Sequence, residues 1–235
     1  MEGDWTARLL RQAAELAIRY RSELPSRPQR PLQGYAEALA AFDGPLPEDG
    51  EPGEFVIDEL AARAEPGLNA TTGSRFFGWV IGGSHQVGVA ADWLTSAWGQ
   101  NAGNHHAMPS AAAAETVAAR WLLELLDLPR ESSVGFVTGA TVANFVCLAA
   151  ARGEVLRRVD WDVEANGLFG ARPISVLIGD DAHTTVFSAL QFLGLGHDRL
   201  VRIATDSQGQ MLVEDFKRRA EAVIGPAIVI LQAGQ

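Results

Sequence analysis

The chain has 235 residues, 47% of them hydrophobic, enough to bury a sizeable core, so a soluble globular fold is the expectation. Its 19 Lys and Arg stand against 29 Asp and Glu, a formal net charge of −10. With no basic stripe to displace counterions from a phosphate backbone, a nucleic-acid partner is excluded. The single cysteine, Cys147, rules out an internal disulfide and fits a reducing compartment. The acidic start MEGDWTARLL lacks the basic and apolar regions of a secretion signal. No uncharged apolar stretch reaches the ~20 residues of a membrane span. A cytoplasmic location with no membrane partner is expected.

In chain order, Leu9, Ala13, Leu16, Ala17 and Tyr20 recur at helical spacing and predict an amphipathic helix over 4–21, stopped by Pro25. The segment PSRPQRP reads as an extended connector. Short helices are expected over 35–42 and 55–64, separated by the turn-rich GPLPEDGEPG. This first part has helices but little material for a core, so it reads as an arm that packs on the rest of the chain or on a second subunit. RFFGWVIGG reads as an extended approach, and long helices are expected over 86–100 and 111–126, the second ended by Pro129.

Strand and helix alternate beyond that point. Strands are predicted over 134–138, 174–178, 200–204 and 227–231, with helices over 142–159, 185–193 and 213–223. Runs such as ISVLI and AIVIL are apolar without alternation, as strands covered on both faces are. The pattern implies an α/β fold, a mostly parallel sheet with flanking helices, preceded by a helical N-terminal arm. Division into 1–80, arm and entry segment, and 81–235, α/β body, follows. Cys147 lies in the apolar helical run NFVCLAAA and is expected to be buried and inert.

Three places can carry chemistry. In VGFVTGATVANFVCLAAAR a strand feeds the small-residue turn Thr138-Gly139-Ala140-Thr141 and then a helix. Backbone N–H groups at such a turn point outward at the positive end of the helix dipole and can hold an anion, with the Thr141 hydroxyl as a further donor. The same geometry is also ordinary α/β architecture, and it is neither a P-loop nor GxGxxG. In GDDAHTTVFSAL, His183 follows a strand at its carboxyl end, where ligands sit in open parallel sheets. It can stack on a planar ring, act in proton transfer, or simply bond locally at a helix start. His105 and His106 are adjacent and have no carboxylate or cysteine at ligand spacing, so no metal site is expected.

Taken together and in this order, RFFGWVIGGS, ADWLTSAWGQNAG, ETVAARWLLELLDLP, FVTGATVANFVCLAAAR, GDDAHTTVFSAL and IVILQAGQ resemble the group II pyridoxal-phosphate-dependent decarboxylases, the family of aromatic-amino-acid, histidine and glutamate decarboxylases. The resemblance spans roughly 54–235. It implies the amino-terminal part of a PLP-dependent transferase-like, aspartate aminotransferase-type large domain, incomplete in this chain. By that resemblance Gly139, Ala140 and Thr141, with Asn144 one turn on, hold the phosphate of pyridoxal 5'-phosphate. His183 stacks on the pyridine ring as the candidate catalytic residue, and Trp79 and Val80 border the pocket for an L-amino acid. The N-terminal arm resembles the family's homodimer-forming arm. Val142 and the alanine-rich MPSAAAAE, with only Glu115, stand where relatives often carry acidic residues.

The family's aspartate for the pyridine nitrogen and its cofactor-bearing lysine belong to segments that would follow Gln235. Lys217 is the chain's one lysine, in the polar helix VEDFKRRAEA, on the face opposite Val213, Phe216 and Ala220. The expectation is therefore a truncated decarboxylase, inactive alone. A non-catalytic PLP- or phosphate-binding regulatory module and a structural remnant are the alternatives.

Overall fold

A computed structural model describes residues 2–232, so the last three residues of IVILQAGQ lie outside the described part. The chain divides into two units after Asn101. Helix 86–98, which the sequence groups with the α/β body, falls in the first.

The first unit holds α1 (Glu2–Glu23), α2 (Tyr35–Phe42), α3 (Gly53–Ala64) and α4 (Gln86–Trp98). α1 packs along α3, and α2 against α3 and the 3-10 turn Glu65–Gly67. Polar side chains tie these helices together. Arg8 Nε donates to Glu54 at 3.0 Å, and Gln12 Nε2 donates to the Glu54 carbonyl at 2.9 Å. The Arg27 guanidinium lies 4.5 Å above the Tyr20 ring and 3.1 Å from Glu65. Among the described residues of this unit only Leu24 and Ala70 are buried apolar side chains, whereas Leu10, Ile18, Leu39, Phe42, Phe55 and Leu60 are exposed. Helices are present, but a core is nearly absent.

The stretch RFFGWVIGG is not extended as expected. Trp79 and Val80 form a turn with φ of 55° and 53°, in the left-handed region. Two residues on, Gly82 has φ 100°, and a Cβ there would collide with the Thr71 carbonyl. That close backbone approach is open only to glycine.

The second unit contains α5 (Pro109–Leu125), α6 (Ala140–Arg157), α7 (Val163–Asn166), β1 (Ser175–Gly179), α8 (Thr184–Phe192), β2 (Val201–Ile203), α9 (Val213–Glu221) and β3 (Ala227–Ile230). The three strands form a parallel sheet of order β2-β1-β3, with Leu177 opposite Val201 on one side and Val229 on the other. Strand alternation sorts the core. Val176, Ile178 and Ile228 share one face and pack with Leu148 of α6 and Val186, Ala189 and Leu190 of α8. Leu177 and Ile203 are buried on the other face, where α9 packs on β2. The Asp215 carboxylate of α9 accepts the Ala204 N–H at 2.9 Å, holding the helix to the end of β2.

Two expectations fail here. Residues 134–138 pair with no strand among the described residues, and Phe136 and Val137 are exposed. The segment has strand composition, but β1 is already paired on both sides and β3 takes up no further neighbour. Cys147 is exposed, not buried. α6 covers the sheet with the face that carries Leu148, and Cys147 lies to one side with exposed Phe145 and Val146.

Candidate functional site

α6 begins without a cap. Its N-cap residue, Gly139, offers no side chain, and the first intrahelical bond near it runs from Ala143 N–H to the Gly139 carbonyl at 3.0 Å. The N–H groups of Ala140, Thr141 and Val142 therefore have no acceptor within the helix, at the positive end of an 18-residue dipole. Gly139 has φ 167°, extended backbone that any residue adopts, and a Cβ there would meet no atom within 4 Å. Glycine here keeps the approach to those N–H groups open. Thr141 is half-buried, while Gly139 and Ala140 are exposed.

α8 begins on His183, whose Nδ1 accepts the Thr185 N–H at 3.3 Å and lies 2.9 Å from Thr185 Oγ1. Asn144, one turn into α6, donates from Nδ2 to the same Oγ1 at 3.1 Å. The start of α6 and the histidine are thus joined by side chains, with Thr185 as the link. Thr185 is a residue that sequence reasoning passed over. The one available signal was its place two residues after a helix-start histidine.

The His183 ring is exposed and lines a cleft of about 620 Å³ with Asp181, Asp206, Ser207, Gly209 and Gln232. These residues follow β1, β2 and β3 at their carboxyl ends, the usual place for ligands on a parallel sheet. The rim is held by hydrogen bonds. Thr205 Oγ1 donates to Asp181 at 2.6 Å, and Asp206 Oδ1 accepts the Gln208 and Gln210 N–H groups at 2.8 and 3.0 Å. Gly139, Ala140 and Thr141 do not line this cleft, and their connection to it runs through Asn144 and Thr185.

Trp79 and Val80 lie in the first unit, 75% and 104% exposed at the tip of their turn, with the Phe76 ring 6.0 Å from that of Trp79. His106 N–H and Ala107 N–H donate to Asn104 Oδ1, so the histidine pair sits in a local turn. Lys217 lies on the surface of α9, paired with Glu214 at 2.9 Å.

A family model described as the pyridoxal-dependent decarboxylase conserved domain matches residues 36–234. The chain belongs to this family. Among curated members of the decarboxylase family, tryptophan decarboxylase 1 of Oryza sativa subsp. japonica is 26% identical over 205 residues, covering 80% of this chain and 39% of the relative. The aromatic-L-amino-acid decarboxylase of Bacillus atrophaeus is 26% identical over 208 residues, covering 88% of this chain and 41% of its own. The fold agrees. Mouse CSAD superposes with a TM-score of 0.84 at 20% identity, covering 95% of this chain and 48% of that one. Oryza sativa TDC with PLP and tryptamine superposes with a TM-score of 0.82 at 22% identity, covering 96% and 48%. The decarboxylase-family chain thus spans about half the length of these structures and about two fifths of the curated relatives. The parallel sheet with its flanking helices is the fold these solved structures share with the chain.

Proposed function

We propose that this chain is the amino-terminal part of a pyridoxal-phosphate-dependent amino-acid decarboxylase, a lyase acting on an L-amino acid. The observation that carries the reading is the uncapped start of α6, joined through Asn144 and Thr185 to the exposed ring of His183. The donor set suits a phosphate, with free first-turn N–H groups, a threonine hydroxyl and no side chain in the way. In this reading Ala140 and Thr141 hold the phosphate beside Gly139, Asn144 supports them from the next turn, and His183 lies against the pyridine ring. When bound, pyridoxal phosphate supplies an electron sink for the substrate's α-carbon as the carboxylate leaves as CO2. By the family resemblance, Trp79 and Val80 are substrate-contacting residues. The exposed apolar side chains of 1–80 form the interface of a cytoplasmic homodimer, and 81–235 contributes the cofactor half of the large domain.

Lys217 does not serve as the cofactor-bearing lysine. A cofactor lysine must lose its proton in a pocket, whereas Lys217 is 60% exposed and ion-paired on a helix. The same observation favours a second reading, a module that binds the cofactor without turning substrate over.

Titrating pyridoxal phosphate into the chain, followed by absorption and phosphorus NMR, tests the site. Saturable binding weakened by Thr141→Val and by His183→Ala is expected, and no saturable change would overturn it. CO2 release from L-amino acids separates the two readings. The chain alone is expected to release none, and fusion to the lysine-bearing half of a relative is expected to restore release. Release by the chain alone that disappears in Lys217→Ala would overturn the assignment of the lysine. Sedimentation of the chain at increasing concentration reads the homodimer.

A further inference from the structure

Deepening that reading of His183, we propose that Thr185 is a positioning residue that locks the imidazole in one tautomer. It does so by relaying a directed hydrogen-bond chain from Asn144 on α6 to Nδ1 of His183. Three contacts meet on two atoms. Thr185 N–H to Nδ1 spans 3.3 Å, Thr185 Oγ1 to Nδ1 spans 2.9 Å, and Asn144 Nδ2 to Thr185 Oγ1 spans 3.1 Å. A hydroxyl or an imidazole nitrogen can face either way, so the two side-chain contacts leave the direction open. The backbone contact decides it, because a peptide N–H can only donate.

Nδ1 therefore presents its lone pair. The Thr185 hydroxyl must then give its hydrogen to Nδ1, which leaves its oxygen to accept, and Asn144 must face it with the amide nitrogen. The one lone pair of Nδ1 is shared by the two Thr185 donors, the shorter contact from the hydroxyl, the other groups have compatible roles, and the proton of a neutral ring is left on Nε2. His183 thus offers an N–H donor, not a lone pair, from the nitrogen that Thr185 does not engage. Its ring plane is held from two helices at once. The partner that orients a histidine's first nitrogen commonly sets the task of the second. Here that partner is a threonine whose own direction is set from 41 residues away.

The test reads the tautomer directly. Long-range nitrogen–proton correlation spectra of the uniformly labelled chain distinguish the protonated ring nitrogen from the bare one, and His183→Gln identifies the His183 signals. The Nε2–H form is expected in the wild type. Thr185→Val keeps the shape and the backbone cap but removes the hydroxyl. It should lower the ratio of Nε2–H to Nδ1–H roughly tenfold, the scale of one hydrogen bond, and Thr185→Ser should restore it. Asn144→Asp replaces the donor by an acceptor and turns the hydroxyl away from His183, so it should also move the ring toward Nδ1–H. An Nδ1–H ring in the wild type overturns the proposal, as does an unchanged ratio in Thr185→Val or in Asn144→Asp. The cofactor titration on the same samples keeps the two questions apart. Loss of binding with the tautomer intact fails the functional reading, and binding with a tautomer indifferent to Thr185 fails this inference alone.

Discussion

Leu190 and Phe192 stand two residues apart on α8, one 0% and the other 69% exposed. Leu190 packs between α6 and the face of the sheet that carries Val176, Ile178 and Ile228. Leu190→Ala deletes three carbon groups from this core, about 2.4 kcal/mol at about 0.8 kcal/mol each. The surrounding structure relaxes only in part after such a deletion, so a residual cavity adds roughly 1 kcal/mol, for a total of about 3–4 kcal/mol. Phe192→Ala removes a ring from solvent and gains some helix propensity, so it should stay within about 0.5 kcal/mol of wild type. Hydrogen exchange at the Val176, Leu177 and Ile178 amides, in the central strand, reports the opening of the second unit. At about 1.4 kcal/mol per factor of ten, Leu190→Ala should speed their exchange a few hundredfold. Exchange accelerated equally by Phe192→Ala, or left within about twofold by Leu190→Ala, would refute the assignment of the core.

Gly82→Ala should destabilise the first unit by more than about 1 kcal/mol, because φ of 100° and the Thr71 carbonyl both oppose a Cβ. Gly83→Ala, with nothing within 4 Å, should be near neutral, and thermal unfolding of the pair checks the difference. Asp215 gives a pH signature. The Ala204 N–H, then Arg218 and Arg219, hold its carboxyl at about 2 against an ordinary 3.8. A lowered carboxyl contributes stability above the ordinary value and loses it as the pH falls through the lowered one. The urea midpoint of wild type should therefore exceed that of Asp215→Asn at neutral pH, and the gap should close toward pH 2. A gap that stays constant or widens with acid would remove Asp215 as the tie between α9 and β2. Gly139→Ala should leave the fold intact, since its φ suits any residue and its Cβ meets nothing, while weakening anion binding at the start of α6; circular dichroism and phosphate titration read the two effects.

Strands β1 and β3 were legible because ISVLI and AIVIL are short apolar runs, the pattern of strands in a covered sheet, and β2 because LVRIA is a short β-prone run interrupted only by Arg202. VGFVT has the same composition, and nothing local distinguishes a strand with partners from one without. The placement of Gly139, Ala140, Thr141 and His183 where a loop enters a helix was legible, because each follows an apolar run and a break of small or polar residues. Thr185 was not, since a threonine near a helix start is commonplace and its role depends on Asn144, far off in the chain. The turn at Trp79 and Val80 was hidden for the same kind of reason. Beside it Gly82 approaches the Thr71 carbonyl, a contact that leaves no mark on the period of RFFGWVIGG.

The strand order β2-β1-β3 has a consequence for biosynthesis. β1 occupies the middle of the sheet, yet it is translated before either of its neighbours. From the end of β1 to the end of β3 the ribosome must add ~50 residues, about 3–10 s at ordinary elongation rates. Throughout that interval Val176, Leu177 and Ile178 have only one finished partner at most, and for the first half they have none. The nascent chain thus passes through a stage with an open, wholly apolar strand edge, the kind of segment that chaperones bind and that pairs with other chains when left uncovered.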